Sequence, residues 1–184
     1  MIEENSYKPD GSIARKLKFI YDNKGNQIEQ NSYKGDGSLF EKLKYVNDDK
    51  GNQIEVISYN PDESIKYKTI AKYDDIGNKI EESYYNLGET PEIKIKYSYN
   101  DNGNVIENIS YNPDGSLLLK STYSYDPKGN QVEINNYDNA GNENKETTYK
   151  HKYDEYDKYG NWLKRLEYIE MSPNKITERE IKYY

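Results

Sequence analysis

A 26-residue period runs through this chain and constrains its fold more than any other feature. Gly-Asn pairs begin at Gly25, Gly51, Gly77, Gly103 and Gly129, each 26 residues after the last, and another at Gly160 comes 31 later. Tyrosines keep the same spacing at Tyr7, Tyr33, Tyr59, Tyr85, Tyr111 and Tyr137, then at Tyr168, again 31 later. Both series therefore carry the same five-residue insertion, between Gly141 and Gly160. Self-similarity of this length marks a repeat architecture, in which each unit packs on its neighbours. The array fills residues 1–184 as one domain, its units beginning near 7, 33, 59, 85, 111, 137 and 168.

Each unit holds two turn signals. One is Asp22-Asn23-Lys24-Gly25-Asn26 and its copies; the other is Pro9-Asp10-Gly11-Ser12, as again in Pro113-Asp114-Gly115-Ser116. Asp or Asn first, Pro second and Gly fourth suit a type I turn, with Gly free to take positive φ. Asn60-Pro61-Asp62-Glu63 and Asn86-Leu87-Gly88-Glu89 break the pattern, so altered turns are expected there. Runs of about seven to ten residues separate the turns, a usual strand length. The connections are too short for parallel crossovers. The sequence thus predicts an all-β antiparallel meander of 26-residue hairpins forming one long twisted or curled sheet. One opening strand, twelve in six units and a closing strand at Ile176–Tyr184 make about 14.

Period-two alternation sorts the faces. Ile13, Arg15, Leu17, Phe19 and Tyr21 share one face, as do Leu39, Glu41, Leu43 and Tyr45. Lys16, Lys18, Lys42, Lys44, Lys66, Lys68, Lys94 and Lys96 share the other. After each Gly-Asn comes an apolar row, Ile28, Ile54, Ile80, Ile106 and Val132, beside a Glu row, Glu29, Glu55, Glu81, Glu107 and Glu133. With Glu29 beside Lys18 and Lys42, charges pair across strands and the Ile row joins the apolar face. A type I turn with a Gly bulge would shift the register by one and mix the faces. Turn signal and face sorting therefore disagree, and the sorting, which recurs in five units, is the better guide. The strands of a unit differ by about two residues, so the register slips two residues per hairpin, a tilt of about 35°; a bulge in the longer strand is the alternative. The apolar face needs cover, by curling or by a face-to-face homodimer. On that reading Ile80→Asp costs far more than Lys68→Asp. The odd insertion calls for a bulge or wide loop around Tyr149–Tyr156.

Composition narrows the function. Hydrophobic residues are 33% and charged residues 32%, a balance typical of disorder, yet 22 residues are Tyr. Disordered chains are poor in aromatics, and Tyr favours a pleated, half-buried surface. The net charge of −7 argues against a nucleic-acid partner. No apolar run reaches membrane-span length, and no signal peptide is visible. There is no Cys and a single His, His151, which excludes thiolate chemistry and His-rich metal sites.

No residue is assigned to catalysis, to a metal or to a cofactor. The Glu row reads as a solvated salt-bridge ladder. Asn47-Asp48-Asp49-Lys50-Gly51-Asn52 comes nearest to a calcium loop but lacks its spacing and terminal Glu. His151 has no nucleophile motif near it and reads as a surface strand residue. Trp162, in the atypical last full unit, either stacks a ligand or closes the end of the array. Tyr presents a large amphipathic area at low entropy cost. Tyr33, Tyr59, Tyr85, Tyr111 and Tyr137, with Trp162, are therefore the candidate binding surface, for a protein or a glycan. Tyr ladders that hold strands together are the equal alternative.

Tyr21-Asp22 with Gly25, Tyr73-Asp74 with Gly77, Tyr125-Asp126 with Gly129 and Tyr156-Asp157 with Gly160 resemble the YD repeat of RHS-type bacterial proteins. The rhythm covers nearly the whole chain. Tyr45-Val46-Asn47-Asp48 and Tyr99-Asn100-Asp101 depart from it, and Asn follows the Gly where the family usually has Arg, in a usually shorter unit. The resemblance implies hairpin sheets of the kind that spiral into toxin-enclosing shells, in a bacterial, secreted or surface-associated protein. The chain looks too short for a shell and carries no evident toxin segment. No catalytic residue carries over. The leading expectation is a non-enzymatic binding or scaffold module. The alternative is a structural fragment of an RHS-type shell, and the weakest is a glycan-active enzyme.

Overall fold

The computed structural model describes residues 1–86, 90–169 and 172–183. Fourteen strands form one antiparallel sheet in which spatial order is sequence order. They are β1 (Ile2–Tyr7), β2 (Ile13–Tyr21), β3 (Gln27–Lys34), β4 (Leu39–Asn47), β5 (Gln53–Tyr59), β6 (Ile65–Tyr73), β7 (Lys79–Tyr85), β8 (Ile93–Tyr99), β9 (Val105–Tyr111), β10 (Leu117–Tyr125), β11 (Gln131–Tyr137), β12 (Tyr149–Tyr156), β13 (Trp162–Ile169) and β14 (Ser172–Glu178). Among the described residues the only helical piece is a 3₁₀ turn at Lys145–Thr147. The last strand begins at Ser172, ahead of the expected Ile176. Contacts group the chain into two units, Met1–Ile95 and Lys96–Tyr184.

The turns explain the Gly-Asn signature. Gly25 N–H donates to Asp22 C=O at 3.2 Å, and Asp22 N–H donates to Asn26 C=O at 2.9 Å. Gly25 sits at φ 88°. This is a type I turn closed by a glycine bulge, which only a residue free of Cβ enters without strain. Asp22 Oδ1 accepts from the backbone N–H of Lys24 and Asn26, while Oδ2 accepts from the Asn26 amide at 3.0 Å. Asp and Asn are therefore selected together. The Pro-Asp-Gly-Ser turn repeats the geometry, with Asp10 Oδ1 accepting from both the backbone and the hydroxyl of Ser12.

The glycine bulge is present, and the faces are still sorted. Tyr21 pairs with Gln27, but Ile20 pairs with Glu29, so Ile28 is a second extra residue one step into the strand. Two one-residue shifts sum to an even number and restore the alternation. The expected conflict between turn and faces is thereby corrected. Ile54, Ile80 and Val132 are the extra residues of their hairpins in the same way. Two of these bulged side chains are exposed, Ile28 at 36% and Ile80 at 39%, and Ile54 and Val132 are half-buried.

The two-residue slip survives the bulges. Ser6 faces Arg15, which faces Lys34, two beyond the repeat equivalent Ser32. In the second unit Glu107 faces Thr122, which faces Asn135, two beyond Glu133.

One local expectation needs correction, and the bulge expected around Tyr149–Tyr156 accounts for part of the insertion. The turn at Asn60-Pro61-Asp62-Glu63 is unaltered: Glu63 N–H donates to Asn60 C=O at 3.0 Å, and Glu63 takes the glycine's place at φ 67°. Leu87, Gly88 and Glu89 of the other irregular turn lie outside the described residues. The five-residue insertion is split. Tyr156 pairs with Trp162 and Asp154 with Lys164, so Glu155, at φ 39°, stands opposite Leu163, where the sibling Ile28 has no counterpart, and is one inserted residue inside β12. The others fall ahead of β12, around the 3₁₀ turn.

Burial is slight. Among the described residues Ala71 is the one buried hydrophobic side chain, at 7% exposure. Ser32, Ser58, Ser83, Ser121, Thr69 and Thr148 are the buried polar ones. Ser32 accepts from Arg15 Nε at 2.9 Å, and Ser58 donates to Glu41 at 3.0 Å. Small side chains thus sit low between long neighbours. The backbone ladder and cross-strand pairs, each worth roughly 0.2–1 kcal/mol, carry the sheet.

Candidate functional site

Within each unit the register places the Tyr row, the Glu row and the Lys row on one face. Lys16 stands opposite Tyr33, Lys42 opposite Tyr59, Lys68 opposite Tyr85 and Lys120 opposite Tyr137. A lysine ammonium lies over every ring of the predicted row. Lys18 is 5.6 Å from the Tyr33 centroid, Lys44 5.6 Å from Tyr59 and Lys68 5.0 Å from Tyr85; Lys96 is 5.8 Å from Tyr111 and Lys120 6.0 Å from Tyr137. Such contacts are worth about 0.5–1 kcal/mol at exposed sites.

Five of the carboxylates pair diagonally, each with the lysine thirteen residues on, while Glu133 reaches the directly opposite Lys150 at 3.1 Å. Glu3–Lys16 is 3.1 Å, Glu29–Lys42 3.8 Å, Glu55–Lys68 3.8 Å, Glu81–Lys94 4.0 Å and Glu107–Lys120 2.5 Å. Glu29 does have Lys42 beside it, but Lys18 stands opposite Asn31 and reaches Tyr33 instead. The face is a charge-matched lattice in which Tyr, Lys and Glu hold one another.

Trp162 lies apart from this row. It pairs with Tyr156, and its ring is 5.6 Å from that of Tyr153. The Arg179 guanidinium stacks on it at 3.8 Å, and Arg179 Nε donates to the Trp162 carbonyl at 2.5 Å. Beyond it Tyr183 packs on Tyr159, with ring centroids 4.5 Å apart, and its phenol donates to Asp157. The tail after β14 therefore covers Trp162 and the last Gly-Asn turn.

His151 is not on the surface. Its side chain is 6% exposed, with Nδ1 3.1 Å from the Gln131 carbonyl and Nε2 3.3 Å from Glu167. Burial works to raise the Glu167 carboxyl, but hydrogen bonds from Asn174 and His151 outweigh it and hold the group below its ordinary value. The Asp48 carboxylate of the calcium-like loop accepts from its own turn, from Lys50 N–H, Asn52 N–H and the Asn52 amide. Among the described residues no three His, Asp or Glu side chains gather in metal-binding geometry, and no helix is long and apolar enough to cross a membrane.

One feature escaped the sequence reading. On the opposite face a cleft of about 460 Å³ opens over Ala71 and Thr69, walled by Tyr67, Tyr73 and Tyr84. Its signal was a break in the repeat: Ala71 replaces the aromatic of Phe19, Tyr45 and Tyr123, and Tyr84 replaces the serine of Ser6, Ser32, Ser58 and Ser110.

The fold and these surfaces define a β-hairpin-repeat protein. The sequence matches no protein-family model and no curated protein. Among solved structures it is similar to a chain of the Photorhabdus luminescens Tc holotoxin pore, with TM-score 0.46 and 12% identity over 89% of this chain. This chain spans 12% of that one's length. It is also similar to a porin-like protein from Bacteroides uniformis, with TM-score 0.39 and 10% identity over 90% of this chain and 91% of that one.

Proposed function

We propose that this chain is a non-enzymatic scaffold or binding module of a bacterial secreted or surface-associated protein, and that its partner is a protein surface laid along the sheet. One observation carries the reading: Ala71 is the single buried hydrophobic residue among those described, so the repeats build surface and not a core. The chain exposes 12216 Å², against roughly 9,200 Å² for a folded chain of this mass. The excess is of the order that obligate interfaces bury. Binding centres on the Leu17 and Leu43 face, because the lysines already occupy the Tyr33, Tyr59, Tyr85, Tyr111 and Tyr137 row.

The test substitutes Leu17→Lys and Leu43→Lys in the isolated chain. On an uncovered face each costs under about 1 kcal/mol in urea unfolding. Losses above about 2 kcal/mol mean that the face closes into a core, and the reading fails. Turnover of a polysaccharide, peptide or phosphoester that one substitution abolishes overturns the non-enzymatic role. A second reading, a segment of an RHS-type shell, draws on the two-residue slip that recurs from β1 to β7 and from β9 to β11. A toxin-and-immunity gene pair downstream favours it.

A further inference from the structure

We propose that the third hairpin, β6–β7 with β5 beside it, carries a binding cleft for a neutral saccharide. The proposal stands apart from the scaffold role, and either can fail without the other. Ala71 faces Glu82, Thr69 faces both Val56 and Tyr84, and the cross-strand pairing puts all of them on one face. An alanine stands where other hairpins carry an aromatic ring, and its absence leaves the space. The cleft falls within the range of small-ligand sites, about 300–1,000 Å³.

Its walls and polar groups select the ligand. Tyr73 and Tyr84 offer ring surface, and Tyr84 is 38% exposed, while Tyr67 forms a further wall with the Lys66 ammonium 5.9 Å from its ring centroid. Tyr73 is fixed by donating to the Gln53 carbonyl at 3.1 Å. On one wall Lys79 pairs with Glu82 at 2.7 Å, and the Tyr84 phenol donates to the other Glu82 oxygen at 2.8 Å. Among the described residues this wall sets one positive group against one negative group, with hydrogen-bonding atoms on both. A cation meets Lys79, an anion meets Glu82, and a wholly apolar ligand strands both. A sugar ring fits instead: its C–H face packs on tyrosine, and its rim of hydroxyls reaches the Lys79–Glu82 pair. Tyrosine provides such amphipathic contact at little entropy cost.

The test titrates the intact chain with β-linked tetrasaccharides of glucose, galactose and N-acetylglucosamine, and separately with choline, following tyrosine ring resonances by NMR. At least one tetrasaccharide is expected to shift the Tyr67 and Tyr84 signals with a Kd between roughly 10 µM and 1 mM. Ala71→Tyr, which restores the ring of the other hairpins, should weaken binding at least tenfold, about 1.4 kcal/mol. Tyr84→Ser changes an exposed residue to the repeat's own, so it keeps the fold and should weaken binding likewise. No shift with any of the three sugars up to roughly 10 mM, choline binding in their place, or unchanged sugar affinity in Tyr84→Ser overturns the proposal.

Discussion

The phenol of Tyr125 donates to the backbone carbonyl of Val105, 2.7 Å away on the neighbouring strand. The same step recurs: Asn47 reaches Gln27 C=O at 2.9 Å, Tyr73 reaches Gln53 C=O at 3.1 Å and Tyr153 reaches Gln131 C=O at 2.9 Å. In the β2–β3, β4–β5, β6–β7 and β10–β11 hairpins a bulge follows this carbonyl's position and takes backbone groups out of the ladder. A side chain from the next strand supplies the missing donor. Tyr125→Phe leaves that carbonyl without its donor and should cost about 1 kcal/mol. Tyr21→Phe should cost nothing measurable, since Tyr21 is 36% exposed and its phenol has no such acceptor among the described residues. Urea unfolding of the two variants compares them, and equal losses would remove the donor role.

Glu63 holds a left-handed backbone conformation at φ 67° where the sibling turns have glycine. A Cβ in that region costs roughly 1–2 kcal/mol. Glu63→Gly should therefore stabilise the chain by about 1 kcal/mol, after allowing for the extra freedom of glycine in the unfolded chain. The midpoint of urea unfolding should rise with its slope unchanged. A fall in midpoint would show that the Glu63 side chain contributes more than its backbone strain costs.

Gly35 stands where Pro9, Pro61 and Pro113 occupy other turns. Replacement by the repeat's proline looks stabilising from sequence alone. The structure predicts the reverse, because a Cβ at Gly35 would lie 2.2 Å from the backbone oxygen of Ile13. Backbone does not yield as a side-chain tip does, and crowding of this kind costs roughly 1–3 kcal/mol. Thermal unfolding of Gly35→Ala and Gly35→Pro checks this; a raised midpoint in either would mean that the turn shifts at no cost.

The strand count, the antiparallel order and the slip were legible because turn residues recur at fixed offsets and alternation survives between them. The paired bulges were not. Ile28 has no composition that marks it as an extra residue, and its effect cancels that of Gly25, so each was visible only as a contradiction with the other. For the surface, the Tyr and Lys rows could be assigned to faces, but which lysine covers which ring depends on diagonal reach that spacing does not show. Burial was misjudged for the same reason. Ile80 occupies a bulge and is 39% exposed, whereas Lys68 pairs with Glu55 at 3.8 Å and covers the Tyr85 ring. Lys68→Asp sets two carboxylates near each other and uncovers the ring, so it should cost at least as much as Ile80→Asp, about 1 kcal/mol or more. Urea unfolding that puts the larger loss at Ile80 would restore the covered-face reading.

The tail contact at Asp157 should respond to acid. The Tyr183 phenol donates to its Oδ2, and the backbone N–H groups of Tyr159 and Asn161 donate to Oδ1, both at 2.9 Å. The Tyr183 bond is the largest influence, and together these donors hold the carboxyl down to about 2. An unfolded Asp titrates near about 3.9. The folded value is depressed, so the contact favours the folded, tail-docked form above the unfolded value and loses that contribution as pH falls from about 4 through about 2. Trp162 reports the event, since Arg179 of the same tail stacks on it at 3.8 Å and it is the chain's one tryptophan. Tryptophan fluorescence should change in that pH window, and Tyr183→Phe should move the change to higher pH. A carboxyl-carbon NMR titration should show the Asp157 midpoint rising in the same variant. An unmoved midpoint would mean that the turn's own N–H groups, and not the tail, set the acidity of Asp157.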